Sequence, residues 1–250
     1  MNKNIVGFSL LEMSIVLVIV GILMASMLPA LSGKIEQQHV SETRRQLAEI
    51  QQALLGFAIS NGRLPCPAER SIASGQANAG LEATTGTGSA LTCSNLTGSS
   101  AWGVLPWATL GLSETDAWGR RFTYHVSRDF ADAIANTSYA GCTPNPIPTQ
   151  ATFGLCSNGN LTVLSAATNG SNVAIKIPAV VISHGINGHG AYTPQGTSLP
   201  NSNDSDEIKN YNTTNSKYVS HDFTPAFDDL VLWVSPNILF NRMVKAGRLP

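Results

Sequence analysis

A single carboxylate, Glu12, interrupts an otherwise apolar run of 24 positions, residues 8–31, FSLLEMSIVLVIVGILMASMLPAL. Placing an acid in hydrocarbon costs at least ~2.5 kcal/mol on insertion scales, so such a residue needs a partner and marks a functional position. Phe8 and Glu12 lie four apart, on one helix face, and an acid in the first turn complements the positive end of the helix dipole. At ~1.5 Å per residue the run is long enough to span a bilayer core, with Lys3 and the initiator amine kept on the near side. A secretory signal has a shorter apolar centre, and a simple anchor has no reason to hold Glu12.

Four cysteines follow, Cys66, Cys93, Cys142 and Cys156, without the CxxC spacing of zinc or thioredoxin-like sites. Two disulfides are the natural reading. Of the three possible pairings the sequential one, Cys66–Cys93 with Cys142–Cys156, is favoured because each bond closes a short loop rich in Gly, Ser, Thr, Asn and Pro. Closing a loop of about 15 residues contributes on the order of 3 kcal/mol. His184, His189 and His221, with Asp222 nearby, show no HExxH or GxSxG spacing, so they are read as surface or turn histidines and no catalytic residue is assigned. The chain is expected not to be an enzyme. Asn-X-Ser/Thr matches at Asn95, Asn136, Asn169, Asn203 and Asn212 are what chance gives in so Asn- and Thr-rich a chain, and carry no assigned modification.

The elements that must position these residues follow from pattern. Lys+Arg 15 against Asp+Glu 16 gives a formal charge of −1, so no basic field invites nucleic acid. Charged residues are only 12% of the chain and hydrophobic ones 43%, an extracytoplasmic style of composition with enough apolar side chain for a core. Beyond Pro29 and Gly33, Val40, Leu47, Ile50, Leu54 and Phe57 recur at helical spacing while Glu42, Arg44, Arg45 and Glu49 fill other faces, an amphipathic helix whose stripe is core. Asn61-Gly62 and the prolines after it stop the helix, which is expected to run from about residue 8 to 60. Residues 68–100 read as loop. Strands are expected at 121–127, 161–165, 173–183 and 229–235, with Pro178 ending or bulging the third, in an antiparallel sheet of about four strands. A closing helix over 236–247 has Ser235 as N-cap, proline at its first position and Gly247 past its end.

Gly7-Phe8-Ser9-Leu10-Leu11-Glu12 closely resembles the processing signature of type IV prepilins and type II secretion pseudopilins, in which a dedicated peptidase cuts after the glycine and methylates the new N-terminal phenylalanine. Asp116-Ala-Trp-Gly119 followed by Arg121-Phe-Thr-Tyr resembles a turn and strand of major pseudopilins, with Ala117 in place of proline. The resemblance implies an α+β type IV pilin fold: one long N-terminal helix, its first half transmembrane, on a C-terminal antiparallel sheet with long disulfide-pinned loops. It divides the chain into a leader (1–7), a transmembrane or filament-core helix (8–31), its amphipathic continuation (32–61) and a periplasmic or extracellular domain (62–250). Gly7 and Phe8 become the processing site, Glu12 the assembly residue that meets a neighbour's Phe8 ammonium, and Gly21 and Pro29 the positions where the helix kinks.

The implied partners are other subunits, the prepilin peptidase, an inner-membrane assembly platform and membrane lipid. The implied location is single-pass in the inner membrane, then the filament. Residues 183–188, Ser-His-Gly-Ile-Asn-Gly, resemble the pseudopilin loop that helps bind a structural calcium ion, with Asn187 at the loop's aspartate position and Asp204, Asp206, Glu207, Asp228 and Asp229 as the downstream carboxylates. Asn187 and Asp228 are its named candidates, with no cofactor committed. The alternative function is a minor, ligand-binding subunit that uses residues 68–100 and 187–227 as an adhesin or uptake surface.

Overall fold

The computed structural model describes residues 9–133, 142, 150–212 and 216–249, apart from the side chains of 25–32 and 97. Gly7, Phe8, the leader and Asn136 therefore lie outside the described residues.

Helix α1, Leu10–Asn61, opens on a reciprocal cap. The Glu12 backbone N–H donates to Ser9 Oγ and the Ser9 N–H donates to Glu12 Oε2, each at 3.1 Å, a capping box that satisfies two groups otherwise orphaned at a helix start. The helix runs unbroken through Gly21 and Pro29. It ends where Gly62 turns left-handed at φ 70° and donates to the Ala58 carbonyl at 2.8 Å.

The chain forms two compact units, Met1–Ser41 and Glu42–Pro250. In the first, apolar side chains of residues 10–24 are exposed: Leu10 93%, Leu17 67%, Ile22 65%. The expected membrane-spanning first half of the helix is corrected here, since no helix among the described residues is long and apolar enough to cross a membrane. Glu12 stands in the first turn of α1, and an acid in hydrocarbon costs at least ~2.5 kcal/mol. The single-pass inner-membrane location falls with it.

In the second unit the helix buries Leu47, Ile50, Leu54, Leu55 and Ala58. They pack on a five-stranded antiparallel sheet in the order β10-β8-β5-β4-β3, formed by Leu230–Val234, Ala179–Ser183, Thr123–Ser127, Ser100–Val104 and Leu96–Thr97. Side chains alternate across a strand, so Tyr124, Val126, Ala179 and Val181 join the helix in one cluster while Val180 and Ile182 point the other way. That second face is covered by a three-stranded sheet, β7-β6-β9 (Asn172–Ile177, Leu161–Leu164, Lys217–Val219), through Leu161, Val163, Ile177 and Tyr218.

The pilin-type fold on a single antiparallel sheet is thus corrected as well. There are two stacked sheets, and β6 and β9 pair in parallel. Pro178 does not merely bulge one strand: it stands between β7 and β8, which belong to different sheets. A proline, lacking an N–H, suits the residue at which the chain leaves one ladder for another.

Residues 68–100 are less open than expected. A two-stranded ribbon of β1 (Thr84–Thr85) and β2 (Thr92–Cys93) forms within them, and Cys66 is bonded to Cys93 with Cα atoms 5.3 Å apart. Glu82 anchors the segment: its carboxylate takes two bonds from Arg63 at 2.9 and 2.8 Å and one from the Cys66 N–H at 2.7 Å. Cys142 and Cys156 form the second disulfide. Short helices α2 (Trp107–Leu110), α3 (Arg128–Ala131) and α4 (Ser205–Tyr211) punctuate the loops, and α5 (Pro236–Lys245) buries Leu239 and Met243 in the helix-facing core. Ser235 stands at the α5 N-cap, but its hydroxyl makes no cap bond.

Candidate functional site

Strand β8 ends at Ser183, and antiparallel pairing sets Leu230 of β10 opposite it. Asp228 and Asp229, the two residues before β10, are therefore delivered beside residues 184–187. Helix α4 supplies the third acid. Asp204 caps it, accepting from the N–H groups of Asp206 and Glu207, which turns Glu207 inward to 1% exposure. Oxygen atoms of Glu207, Asp228 and Asp229 lie within 4.8 Å of one another.

The loop closes on this cluster through its own donors. Asn187 gives its backbone N–H to Asp228 Oδ2 at 2.8 Å and its side-chain Nδ2 to Glu207 Oε1 at 2.5 Å. His189 Nδ1 is 3.0 Å from Glu207 Oε2. Asn210 Nδ2 donates to Asp229 Oδ2 at 2.7 Å, and His184 Nδ1 lies 3.3 Å from Asp229 Oδ1. Burial alone would raise the Glu207 carboxyl, but the bonds from Ser202, Asn187 and His189 hold it below its usual value. Asp228 goes the other way, up to about 6, through burial first and then the neighbouring charges of Asp229 and Glu207.

The turn at 116–119 belongs to the same assembly. Asp116 Oδ1 accepts from the N–H groups of Trp118 and Arg120, both at 3.0 Å, while Ser183 Oγ donates to its Oδ2 at 2.6 Å. The next side chain, Arg120, reaches across the loop, donating to the Gly185 carbonyl and to the Ile186 carbonyl, the latter at 2.8 Å. A permanent guanidinium thus sits on the loop carbonyls.

These facts decide the fit of a calcium ion. Calcium takes six to eight oxygens. Here both oxygens of Glu207 and Asp228 Oδ2 already accept hydrogen bonds, Asp229 Oδ2 accepts from Asn210, and only Asp228 Oδ1 is buried without a partner. Asn187 offers its amide nitrogen, not its oxygen, to the cluster. The donor set falls short of a calcium shell, and what it does is clamp the loop to α4 and β10.

The remaining sequence candidates are dispersed. Asp206 Oδ1 accepts from the Ala167 N–H at 2.6 Å and its Oδ2 lies 3.1 Å from His221 Nε2, while the His221 ring stacks on Phe227. His184, expected at the surface or in a turn, is wholly buried, with Nε2 2.8 Å from Thr123 Oγ1. His125 lies on the same side of the sheet, its Nδ1 2.5 Å from the Tyr218 phenol oxygen, and burial together with the nearby His184 lowers its pKa to about 3. Arg120, His125 and the Ser9–Glu12 cap escape sequence reasoning. Only the cap has a readable signal, serine three residues before glutamate at the start of an apolar run. No family model, curated protein or solved structure matches this chain.

Proposed function

We propose that this chain is a structural subunit of a type IV pilus or a type II secretion pseudopilus, cleaved after Gly7, N-methylated on Phe8 and assembled through its N-terminal helix. The observation that carries the reading is the stretch directly after Gly7-Phe8: apolar side chains over residues 10–24 stand exposed around one acid, Glu12. A surface of that kind calls for a covering partner, and identical stretches of neighbouring copies provide one. Cleavage creates a new ammonium at Phe8. The Glu12 carboxylate, held among the described residues by the exposed 3.1 Å bond from Ser9, exchanges that bond for the neighbour's ammonium. The prepilin peptidase and the assembly platform are the partners this sequence of events requires.

Mass spectrometry of the mature protein tests the first step: a methylated N-terminus at Phe8 is expected, with unprocessed chain accumulating in Gly7→Trp. Glu12→Ala is expected to be processed normally yet to be missing from sheared filaments. Entry of that variant into filaments at the wild-type level sinks the proposal.

A further inference from the structure

Asparagine followed by glycine occurs at Asn61, Asn158, Asn169 and Asn187. That dipeptide has a reaction of its own. The glycine nitrogen can attack the carbonyl carbon of the asparagine side chain, and the missing glycine Cβ leaves the approach uncrowded. The nitrogen must give up its proton, so its N–H must not be engaged elsewhere, and the asparagine side chain must be free to turn. Those two requirements separate the four pairs.

Three of them are held at both points. At the end of α1, Gly62 donates to the Ala58 carbonyl at 2.8 Å and Asn61 Nδ2 to the Phe57 carbonyl at 3.0 Å. Gly159 donates to the Lys176 carbonyl at 3.2 Å and Asn158 Nδ2 to the Cys156 carbonyl at 3.4 Å. Gly188 donates to the His184 carbonyl at 2.8 Å and Asn187 Nδ2 to Glu207 Oε1 at 2.5 Å. The fourth pair lies in the turn between β6 and β7. There Asn169 is exposed, and among the described residues neither its side chain nor the Gly170 N–H makes a hydrogen bond. The turn itself asks for both residues. Asn169 has left-handed backbone at φ 54°, which asparagine tolerates better than most side chains, and a Cβ at position 170 would collide with the Ala166 carbonyl oxygen.

We propose that Asn169 is a site of self-modification, at which the folded chain deamidates through a cyclic imide to aspartate and isoaspartate. Hydroxide takes the Gly170 amide proton, and the nitrogen bonds to Asn169 Cγ. The Cγ–Nδ2 bond then breaks, and the side-chain nitrogen leaves as ammonia after taking a proton from water. Water next adds to either carbonyl of the imide and opens it, leaving a carboxylate, so the net change is one water consumed and one ammonia released, with nothing oxidised or reduced. The product adds a negative charge to the turn, and its isoaspartate form lengthens the main chain between β6 and β7 by one methylene. The proposal stands apart from filament assembly, because all four pairs lie in the unit Glu42–Pro250.

Peptide mapping by mass spectrometry tests this on the purified full chain kept at body temperature and mildly alkaline pH. The acid form is expected to accumulate at Asn169 on the order of tenfold faster than at Asn61, Asn158 or Asn187, because each of those pairs must first surrender a hydrogen bond. In Asn169→Gly, which adopts the left-handed backbone without strain, the mass gain in that peptide is expected to vanish while the other three sites are unchanged. In concentrated urea, where the protecting bonds are gone, the four rates are expected to converge. No gain at Asn169, a gain at another Asn-Gly pair that equals or outruns it, or a lead for Asn169 that persists in urea overturns the assignment.

Discussion

Residues 10–24 and 42–61 are stretches of one helix with opposite fates. In the first, apolar residues surround the axis and stay exposed, Leu10 at 93% and Leu11 at 70%. In the second, apolar residues are confined to a stripe, and Leu54 at 0% is sealed while Arg45 on the other side pairs with Glu42 and Glu49. A helix hides its apolar surface inside its own fold only where a polar face lets water meet the opposite side. One that is apolar all round must find cover on every side, and a single chain does not provide it.

Truncating one side chain in each stretch tests the contrast most severely. Leu54→Ala is expected to lower unfolding free energy by about 2–5 kcal/mol in urea titrations, through lost burial and the cavity left behind. Leu17→Ala, at 67% exposure, is expected to fall within about 0.5 kcal/mol of wild type. A comparable cost at both positions would mean that residues 10–24 are packed within the single chain. Next in size, Arg120→Ala strips the donors from the Gly185 and Ile186 carbonyls and is expected to cost about 1–3 kcal/mol. Hydrogen exchange should quicken at Gly188, whose N–H donates to the His184 carbonyl, while residues 10–24 exchange as before.

Acid should act on the packed unit. His125 has a folded pKa of about 3, below its ordinary 6.5, so its contribution is present above pH 6.5 and is lost as pH falls toward 3. Asp228, raised from 3.8 to about 6, works oppositely: its contribution is full below 3.8 and is lost as pH rises through 6. The urea midpoint is expected to drop between about pH 6.5 and 4, and to drop more steeply in Asp228→Asn, where the opposing gain is gone. A midpoint that stays flat over that range in Asp228→Asn would show that His125 takes up its proton without cost. The smallest effect concerns calcium. Millimolar calcium or chelator is expected to move the melting temperature by less than about 1 °C, since Arg120 and Asn187 already occupy the groups an ion would use. A rise with calcium would show that the loop opens to admit it.

Much of the packed unit is readable from pattern. Residues 121–127, 161–165 and 229–235 contain strands because β-branched and aromatic residues cluster there between turn signals, and Asn61-Gly62 ends the helix as its left-handed backbone requires. The second sheet is not. Strand β9 is three residues, too short for periodicity to register, and Pro178 reads as a bulge until the partners of each half are known. The same gap explains β5, where apolar and polar residues alternate although both faces are covered once the second sheet exists. The acids of the loop cluster all stand out in the sequence. The hydrogen bonds they take from Asn187 and His189, and the grip of Arg120 on the loop carbonyls, do not, because a side chain 65 residues from its carbonyl partner leaves no local trace. The apolar run over 8–31 suggests a span from hydropathy alone, yet no helix among the described residues is long and apolar enough to cross a membrane.

The core that holds Leu47 also holds Met243 and Leu249. Translation delivers the first of these about two hundred residues before the last. At ribosomal rates of ~5–20 residues per second, the stripe on the helix waits on the order of 10–40 s before its final packing partners emerge. Through that interval Ile50 and Leu54 have no finished surface to rest on, so the vulnerable period of this protein is its birth.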